Sequence, residues 1–235
     1  MDVVELFLAD PGADRNCPNF GQGYRPDPFC PEFRMREVLQ FSQFWQEAGA
    51  RDPTYANEIP YWAIVWPGSR MLARHILDHL QIAGKRVLEL GSGSGLASIA
   101  AASKGATVLA TDHSQDAIAI AEASAAKNGQ SIETAVLDLS EPATILMDWK
   151  PDLVLLGDVF YEKHLADLAR RWILEMQQLG IDSLIADPYR NYGPARDSNY
   201  WNLELIASYD VPVRKEIENI GSRRTALLRS RGFAV

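Results

Sequence analysis

The sequence predicts an α/β fold in which helices cover both faces of a mostly parallel sheet. Between residues 69 and 186, short β-prone runs alternate with longer helix-prone stretches, the pattern of parallel strands joined by crossover helices. One of these runs, 86–90, passes through a glycine-rich turn directly into a helix-prone stretch. The chain ends in two strand-like runs joined by a short turn, which predicts a closing antiparallel hairpin.

The first part of the chain is irregular, and we treat residues 1–57 as an N-terminal extension. Residues 10–31 hold five prolines, three glycines and both cysteines, a composition that excludes a helix or a central strand. Over 32–48 the apolar residues recur on roughly one helical face, which predicts a helix. The aromatic residues of the extension allow two interpretations, a lid over a binding cleft or an arm packed against the domain. They include Phe20, Tyr24, Phe29 and Trp45.

Residues 58–235 form the predicted α/β domain. Its helices are predicted at about 69–80, 96–104, 115–128 and 162–179, and its parallel strands at 86–90, 107–111, 133–137, 153–157 and 183–186. The closing hairpin is predicted to pair the runs 207–217 and 224–230 across Asn219–Ser222. Five parallel strands and a hairpin together make a sheet of seven strands.

Composition excludes several classes of protein. The chain has 235 residues, of which 47% are hydrophobic and 23% charged, and a formal net charge of −8. These values predict a soluble acidic domain without general affinity for nucleic acid. No apolar run approaches the roughly 18 residues that a membrane span needs. The acidic N-terminus resembles neither a secretion signal nor a transit peptide, so we expect a cytoplasmic protein without membrane partners.

Cysteines, histidines and a local basic run give weaker indications. Cys17 and Cys30 lack the spacing of a zinc site and are expected to be free thiols. His75 and His79 lie four residues apart on a predicted helix, but no third ligand accompanies them, so no metal site is predicted. Residues 214–231 hold six Lys/Arg against two Glu and form either a solvated hairpin or a docking patch for an acidic protein partner.

The glycine-rich turn after the strand 86–90 predicts a ligand site. Three glycines follow Glu89 at alternate positions, and a helix-prone stretch begins at Leu96. A dinucleotide fingerprint would need a glycine where Leu96 stands. The pattern E-x-G-x-G-x-G instead resembles motif I of the seven-strand S-adenosylmethionine (SAM) methyltransferases, in which glycines let the backbone approach the ligand. A glycine-rich turn without a ligand is the alternative. The cofactor-binding residues expected here are Gly91, Ser92, Gly93 and Gly95.

Each predicted parallel strand also ends in an acidic residue, at the sheet edge where α/β folds bind ligands. Asp112 follows the second strand and can accept bonds from both ribose hydroxyls of a nucleoside. Asp138 can accept from the adenine amine, while Glu89 is expected near the ammonium group of the ligand. Asp158 and Asp187 follow the last two parallel strands. Any one of these carboxylates, taken alone, could instead be a helix N-cap.

Two further segments sharpen the resemblance. The segments Pro60–Gly68 (P-Y-W-A-I-V-W-P-G) and Asp158–Tyr161 (D-V-F-Y) resemble those of the seven-strand protein lysine methyltransferases. Within that class the chain is most similar to the enzymes that methylate the β-subunit of electron transfer flavoprotein. The resemblance covers about residues 58–190. Residues 1–55 have no counterpart that we can match, and Tyr189 stands where the resemblance leads us to expect glycine.

The resemblance implies a Rossmann-like class I methyltransferase sheet and assigns roles to individual residues. Asp158 would accept a hydrogen bond from the incoming nitrogen, and Tyr161 would face the amine. Further cofactor contacts are implied for Trp66, His113, Leu139 and Gly157. Acceptor contacts are implied for Trp62, Phe160, Asp187, Tyr189 and Arg190. Trp62, Trp66 and Phe160 could also be simple core residues, because large aromatic side chains are mostly buried.

We therefore predict a monomeric, SAM-dependent N-methyltransferase that acts on a lysine of a protein and releases S-adenosylhomocysteine. The β-subunit of electron transfer flavoprotein is the leading candidate substrate. One alternative is methylation of a small molecule or peptide beneath the N-terminal lid. Another is a SAM-binding module without catalytic activity.

Overall fold

A computed structural model describes residues 2–9, 23–146 and 148–230 of the chain. Within these residues a seven-stranded sheet and a separate two-stranded ribbon account for the strands. Five neighbouring strands of the large sheet are parallel, and a hairpin completes it. The predicted fold class is therefore confirmed. No helix of the described residues is long and apolar enough to cross a membrane.

The secondary structure elements are numbered in chain order. The strands are β1 (Arg25–Pro26), β2 (Arg34–Met35), β3 (Arg86–Leu90), β4 (Thr107–Asp112), β5 (Glu133–Val136), β6 (Leu153–Gly157), β7 (Asp182–Asp187), β8 (Glu204–Pro212) and β9 (Ser222–Ser230). The α-helices are α1 (Val3–Leu8), α2 (Phe41–Arg51), α3 (Pro67–His79), α4 (Leu96–Ser103), α5 (Gln115–Lys127), α6 (Lys163–Gln178) and α7 (Lys215–Glu218). Short 3₁₀ helices occupy Pro53–Ala56, Tyr61–Ala63, Ala143–Leu146 and Pro194–Arg196.

The strand order determines where a ligand can bind. Along the large sheet the order is β5-β4-β3-β6-β7-β9-β8, with β9 antiparallel to both of its neighbours. The chain winds outward from β3 in one direction and from β6 in the other, so the order reverses between these two strands. In open α/β sheets ligands bind outside the carboxyl ends of the strands at such a reversal. Leu90 pairs with Leu156 there, next to the glycine turn.

The elements predicted between residues 69 and 186 are all present, with ends that differ by one or two residues. The hairpin differs more, because the strand expected at 207–217 is observed at Glu204–Pro212 and is followed by α7. Pro212 has no N–H to continue the ladder. Asn219 then adopts a left-handed conformation, with φ 57°, that ends α7 and leads into β9.

The helix predicted over 32–48 is wrong in its first part. Arg34 and Met35 form β2, which pairs with β1, residues 36–40 are not helical, and α2 begins only at Phe41. Phe33 and Met35 are buried and flank exposed Arg34, so burial here alternates as in a strand. The backbone pairing of β1 with β2 and the burial of Phe33 and Met35 against α3 override the local helical spacing.

The described part of the N-terminal extension packs around Trp62. Rings of Phe7, Phe44 and Tyr55 contact Trp62 edge-on at centroid distances of 5.2, 5.8 and 6.2 Å. Ala117 of α5 belongs to the same buried cluster, so these residues share a core with the α/β domain. Residues 10–22, which include Cys17 and Phe20, lie outside the described residues, and the lid interpretation stays a prediction.

A buried ion cluster also joins the extension to α3. Arg70 is buried and binds Asp27 through Nε at 2.7 Å and Glu37 through Nη2 at 3.1 Å. It also donates to the carbonyl oxygen of Val65 at 2.8 Å. Because a charge left unpaired in such a site is costly, the three side chains hold residues 23–37 firmly against α3.

Candidate active site

A cavity of about 640 Å³ opens at the carboxyl ends of β3, β4 and β6, where the strand order reverses. Its size lies within the range of small-molecule sites, roughly 300–1,000 Å³. The predicted site residues that line it are Trp62, Trp66, Gly91, Gly93, Asp112, His113, Asp138, Leu139, Gly157, Asp158, Tyr161 and Arg190. Candidate cofactor, catalytic and acceptor residues therefore share one cavity. No group of three or more potential metal-ligating side chains occurs in the described part of the chain.

The glycine turn presents backbone to this cavity. Gly93 has a left-handed φ of 51°, and a Cβ atom placed on it would meet nothing within 4 Å. Its N–H donates to Oδ2 of Asp112 at 2.9 Å. Ser92 is buried and donates its N–H to the carbonyl oxygen of Thr111 at 2.9 Å. The turn is thus fixed to β4 and leaves open space beside Gly93 in which a ligand can approach the backbone.

Asp112 connects the glycine turn to the start of α5. Its Oδ1 accepts the N–H of Ser114 at 3.1 Å and lies 3.1 Å from Nδ1 of His113. The hydrogen bond to Asp112 raises the pKa of His113. Glu58 lies 3.7 Å from the other ring nitrogen of His113. Because a carboxylate can accept about four hydrogen bonds, Asp112 retains acceptor capacity on Oδ2, where only Gly93 donates, for a ribose hydroxyl.

An apolar slot with an acidic edge lies next to Asp112. Leu137, Leu139 and Leu168 line this part of the cavity together with Asp138. The N–H of Ser140 donates to Oδ1 of Asp138 at 2.7 Å. Hydrogen bonds from the backbone and the side chain of Ser140 lower the pKa of Asp138. An aromatic base with an exocyclic amine suits such a slot. The cavity therefore has the features that SAM needs: exposed turn backbone, a carboxylate for the ribose, an apolar slot and an acidic edge.

Glu89 lies behind the glycine turn and does not line the cavity. Its Oε2 accepts the N–H of Ser98 at 2.9 Å and also the Ser98 hydroxyl, which fixes the first turn of α4. Burial raises the pKa of Glu89 to about 7, partly offset by the two bonds from Ser98. The predicted contact of Glu89 with the ligand ammonium is absent from the cavity surface, because α4 occupies its carboxylate.

The raised pKa of Glu89 predicts how stability depends on pH. Between its ordinary value of 4.5 and about 7, folded Glu89 keeps a proton that the unfolded chain has lost. The stabilising contribution of this proton is complete below the lower value and is lost as the pH rises through the upper one. Ligand-free wild type should therefore lose stability relative to Glu89→Gln as the pH rises from about 4.5 to about 7, with little further change above. Thermal melts of both proteins measure this, and a pH-independent difference would contradict it.

Asp158 ends β6 with a left-handed backbone, φ 59°, which is uncommon outside glycine. Its Oδ2 accepts a short hydrogen bond from the N–H of Gly68, and its Oδ1 lies 3.1 Å from Nη2 of Arg190. The side chain is 9% exposed. Burial raises its pKa to about 6, against the opposing effect of Arg190. Asp158 is therefore mostly ionised at neutral pH and can accept further hydrogen bonds at the cavity wall.

Gly68 allows α3 to begin against this carboxylate. A Cβ atom on Gly68 would lie 2.5 Å from Oδ2 of Asp158 and 2.9 Å from the backbone oxygen of Ala186. Gly68→Ala is therefore expected to lower the melting temperature through overpacking, at a cost of roughly 1–3 kcal/mol. Gly221→Ala is the matched control, because a Cβ atom there meets nothing within 4 Å. Equal melting temperatures for the two variants would contradict this prediction, because they would show that the Cβ atom at position 68 is accommodated without loss of stability.

Aromatic rings form part of the cavity wall. The rings of Tyr61 and Tyr161 lie 4.8 Å apart, and those of Tyr61 and Trp66 lie 5.7 Å apart. Burial raises the pKa of Tyr161, so its phenol stays neutral. Sequence reasoning missed Tyr61, although it stands inside the quoted Pro60–Gly68 segment. It likewise missed Val159, inside the quoted Asp158–Tyr161 segment, and further cavity residues, namely Glu58, Ile59, Ser114, Ala117, Leu137, Ser140, Glu162, His164, Leu165 and Leu168.

Some predicted site residues lie outside the cavity. Phe160 is fully buried and packs edge-on against Trp201 at 5.5 Å, which makes it a core residue instead of an acceptor contact. Asp187 is buried and accepts the N–H groups of Arg190 and Ala195, both at 2.9 Å. It shapes the loop after β7 and does not reach the acceptor.

Three further predicted residues also miss the cavity. Ser92 is buried and does not line it. Tyr189 packs against the cluster that includes Trp172 and does not line the cavity either. A Cβ atom on Gly95 would lie 3.0 Å from Ala121, so this glycine serves the contact between the turn and α5. Trp62 lines the cavity and also packs against residues of the N-terminal extension.

Comparison with known proteins identifies the class of site. A family model described as lysine methyltransferase matches residues 59–192. The chain belongs to the lysine methyltransferase family. Two relatives are named electron transfer flavoprotein beta subunit lysine methyltransferase. The one from Xenopus laevis is 36% identical over 202 residues, covering 83% of this chain and 78% of that protein. The one from Homo sapiens is 37% identical over 202 residues, covering 81% and 71%.

These matches correct one expectation about the extension of this lysine methyltransferase. The part of the chain outside the Xenopus laevis match is shorter than residues 1–55, so some of that segment does have a counterpart. The similarity therefore extends beyond 58–190.

Solved structures support the fold. A tRNA (uracil-54, C5)-methyltransferase of Pyrococcus abyssi, in complex with S-adenosyl-L-homocysteine, superposes with a TM-score of 0.50 at 15% identity. The superposition covers 69% of this chain and 38% of that one. A Streptococcus mutans protein described as a SAM-dependent methyltransferase gives 0.53 at 15% identity, covering 71% and 50%. The chain thus has the fold of the class I SAM-dependent methyltransferases, and its membership of the lysine methyltransferase family makes SAM its cofactor.

Proposed function

We propose that this lysine methyltransferase modifies a lysine of the β-subunit of electron transfer flavoprotein. The observation that carries the proposal is the match to enzymes named for that substrate, at 36% and 37% identity over more than four fifths of the chain. The cavity supports it, because Trp66, Asp158 and Tyr161 from the specific motifs line one wall. The cytoplasmic location and the monomeric state stay predictions.

The acceptor lysine has to lose its proton before it can react. At about pH 7.4 only about 0.1% of free lysine is neutral, which corresponds to about 4 kcal/mol. The rings of Tyr61, Trp66 and Tyr161 form a largely apolar wall that removes water from the side chain. Such desolvation disfavours the ammonium form and lowers the pKa of the acceptor.

Asp158 then orients the nitrogen. When bound, SAM supplies the methyl group and a sulfonium cation. The carboxylate of Asp158 is held by Gly68 and Arg190, so its position is fixed before the acceptor arrives. It accepts an N–H bond from the amine and directs the lone pair into the cavity. Most of the rate then comes from positioning and desolvation.

Purified enzyme, SAM and purified β-subunit test the proposal. We expect tandem mass spectrometry to find methyl groups on one or a few lysines of the β-subunit. The same incubation with Asp158→Asn should leave the β-subunit unmodified, and arginine in place of the modified lysine should abolish the signal. An unmodified β-subunit, from an enzyme that methylates another protein or a small molecule under the same conditions, would refute the proposed substrate.

A further inference from the structure

A cation of the protein itself occupies the acceptor side of the cavity. Nη2 of Arg190 lies 3.1 Å from Oδ1 of Asp158 and 3.3 Å from Oε1 of Glu218. The guanidinium carbon is 5.7 Å from the centre of the Trp66 ring. The Arg190 side chain is 18% exposed and the two carboxylates are 9% exposed each. Two shielded carboxylates and an indole face are the surroundings that proteins use to bind a cationic ligand.

This position conflicts with the role of Asp158. Gly68 takes one oxygen of that carboxylate and Arg190 takes the other. An acceptor nitrogen that bonds to Asp158 must therefore displace the Arg190 guanidinium or share its oxygen. Nε of Arg190 is buried and has no hydrogen-bond partner among the described residues. The guanidinium is thus held at one end only.

Glu218 offers Arg190 a second position. It stands at the end of α7, in the connection between β8 and β9, and already contacts the same Nη2 atom. Its other oxygen lies 3.1 Å from Nη2 of Arg223. A guanidinium that leaves Asp158 for Glu218 keeps a charged partner, so the exchange avoids an unpaired buried charge.

We propose that the Arg190 guanidinium occupies the place of the acceptor cation until a protein substrate docks. The substrate lysine then takes its position at Asp158, and the guanidinium moves to Glu218. This inference rests on the proposed function, since it assigns Asp158 to the acceptor. A free amine displaces Arg190 poorly, because only its own contacts contribute binding energy. For a lysine on a protein surface, contacts between that protein and the surface around α7 add binding energy. Arg190 is thus a positioning residue that favours protein-bound lysines over free amines.

Calorimetry of Nα-acetyl-lysine amide binding to the S-adenosylhomocysteine-loaded enzyme tests whether Arg190 competes with an acceptor amine for Asp158. This experiment needs no protein substrate. We expect Arg190→Gln to bind this probe about tenfold more tightly than wild type, because a charge-assisted hydrogen bond no longer competes. Arg190→Lys keeps a cation and should fall between the two. Arg224→Gln, an exposed site with the same charge change, is the matched control and should behave as wild type. Equal or weaker probe binding by Arg190→Gln would overturn the proposal.

Variants of Glu218 provide a second test of the proposal. Glu218→Gln should raise the KM for the protein acceptor several-fold, and this effect should disappear when Arg190→Gln is also present. An unchanged Glu218 effect in the double variant would mean that Glu218 acts independently of Arg190, which also overturns the proposal. Failure of wild type to methylate the β-subunit would refute the proposed substrate instead. Probe binding is measured separately from that assay, so the two failures are distinguishable.

Discussion

Replacement of Asp158 by asparagine is expected to slow methyl transfer by about two orders of magnitude or more, because misplacing a reacting group by roughly 1 Å has an effect of that size. The amide can still accept the N–H of Gly68, but it carries no charge and turns a donor toward Arg190 or the amine. SAM affinity should change by no more than a few-fold, because the proposed partner of Asp158 is the acceptor nitrogen. Single-turnover rates at saturating SAM, with calorimetry for affinity, measure both effects.

Tyr161 provides the companion comparison. Tyr161→Phe keeps the ring that packs against Tyr61 and should reduce the rate less than Tyr161→Ala does. If Asp158→Asn instead lost SAM binding in proportion to turnover, Asp158 would belong to the cofactor site. Its proposed role toward the acceptor would then be wrong.

Replacement of Asp112 by alanine is expected to weaken SAM binding by about tenfold to a hundredfold. A charge-assisted hydrogen bond from a ribose hydroxyl to this carboxylate is worth roughly 1.5–3 kcal/mol. The same change removes the acceptor for the N–H groups of Gly93 and Ser114, so the glycine turn also loses one of its two hydrogen bonds to β4 and keeps only that of Ser92 to Thr111. Calorimetric titration of SAM and S-adenosylhomocysteine gives the affinities directly.

Asp112→Asn separates the contribution of the ribose contact to SAM affinity from that of the hydrogen bonds to the glycine turn. The asparagine oxygen can still accept from Gly93, while the negative charge and one acceptor are lost, so its affinity should lie between wild type and Asp112→Ala. Unchanged SAM affinity in Asp112→Ala would contradict the assignment of this carboxylate. A preference of the wild-type protein for NAD would contradict the interpretation of the glycine pattern.

Local sequence information was sufficient for the central part of the fold. Between 69 and 186 each element has its own periodicity and each strand ends in a recognisable acidic residue, so the carboxyl edge of the sheet could be predicted. The same edge carries Asp112, Asp138 and Asp158 in one cavity. Their convergence follows from parallel strand order, which the strand–helix alternation indicates.

Long-range contacts explain most of what sequence reasoning missed. Arg34 and Met35 form a strand because they pair with β1, and Phe33 and Met35 are buried in a cluster with residues of α3, contacts that local spacing does not reveal. Phe160 lies next to catalytic candidates in sequence, yet its side chain is fully buried in the core and packs against Trp201. Glu218 meets Arg190 across 28 residues of chain, a pairing that no motif indicates.

Lysine methylation in cells with and without the gene tests the central claim most directly. Proteome-wide mass spectrometry is predicted to show methylated lysine on the β-subunit of electron transfer flavoprotein in cells that have the gene. The modification should vanish on deletion, return with the wild-type gene and fail to return with Asp158→Asn. Unchanged lysine methylation across the proteome after deletion, or a loss confined to residues other than lysine, would contradict the account.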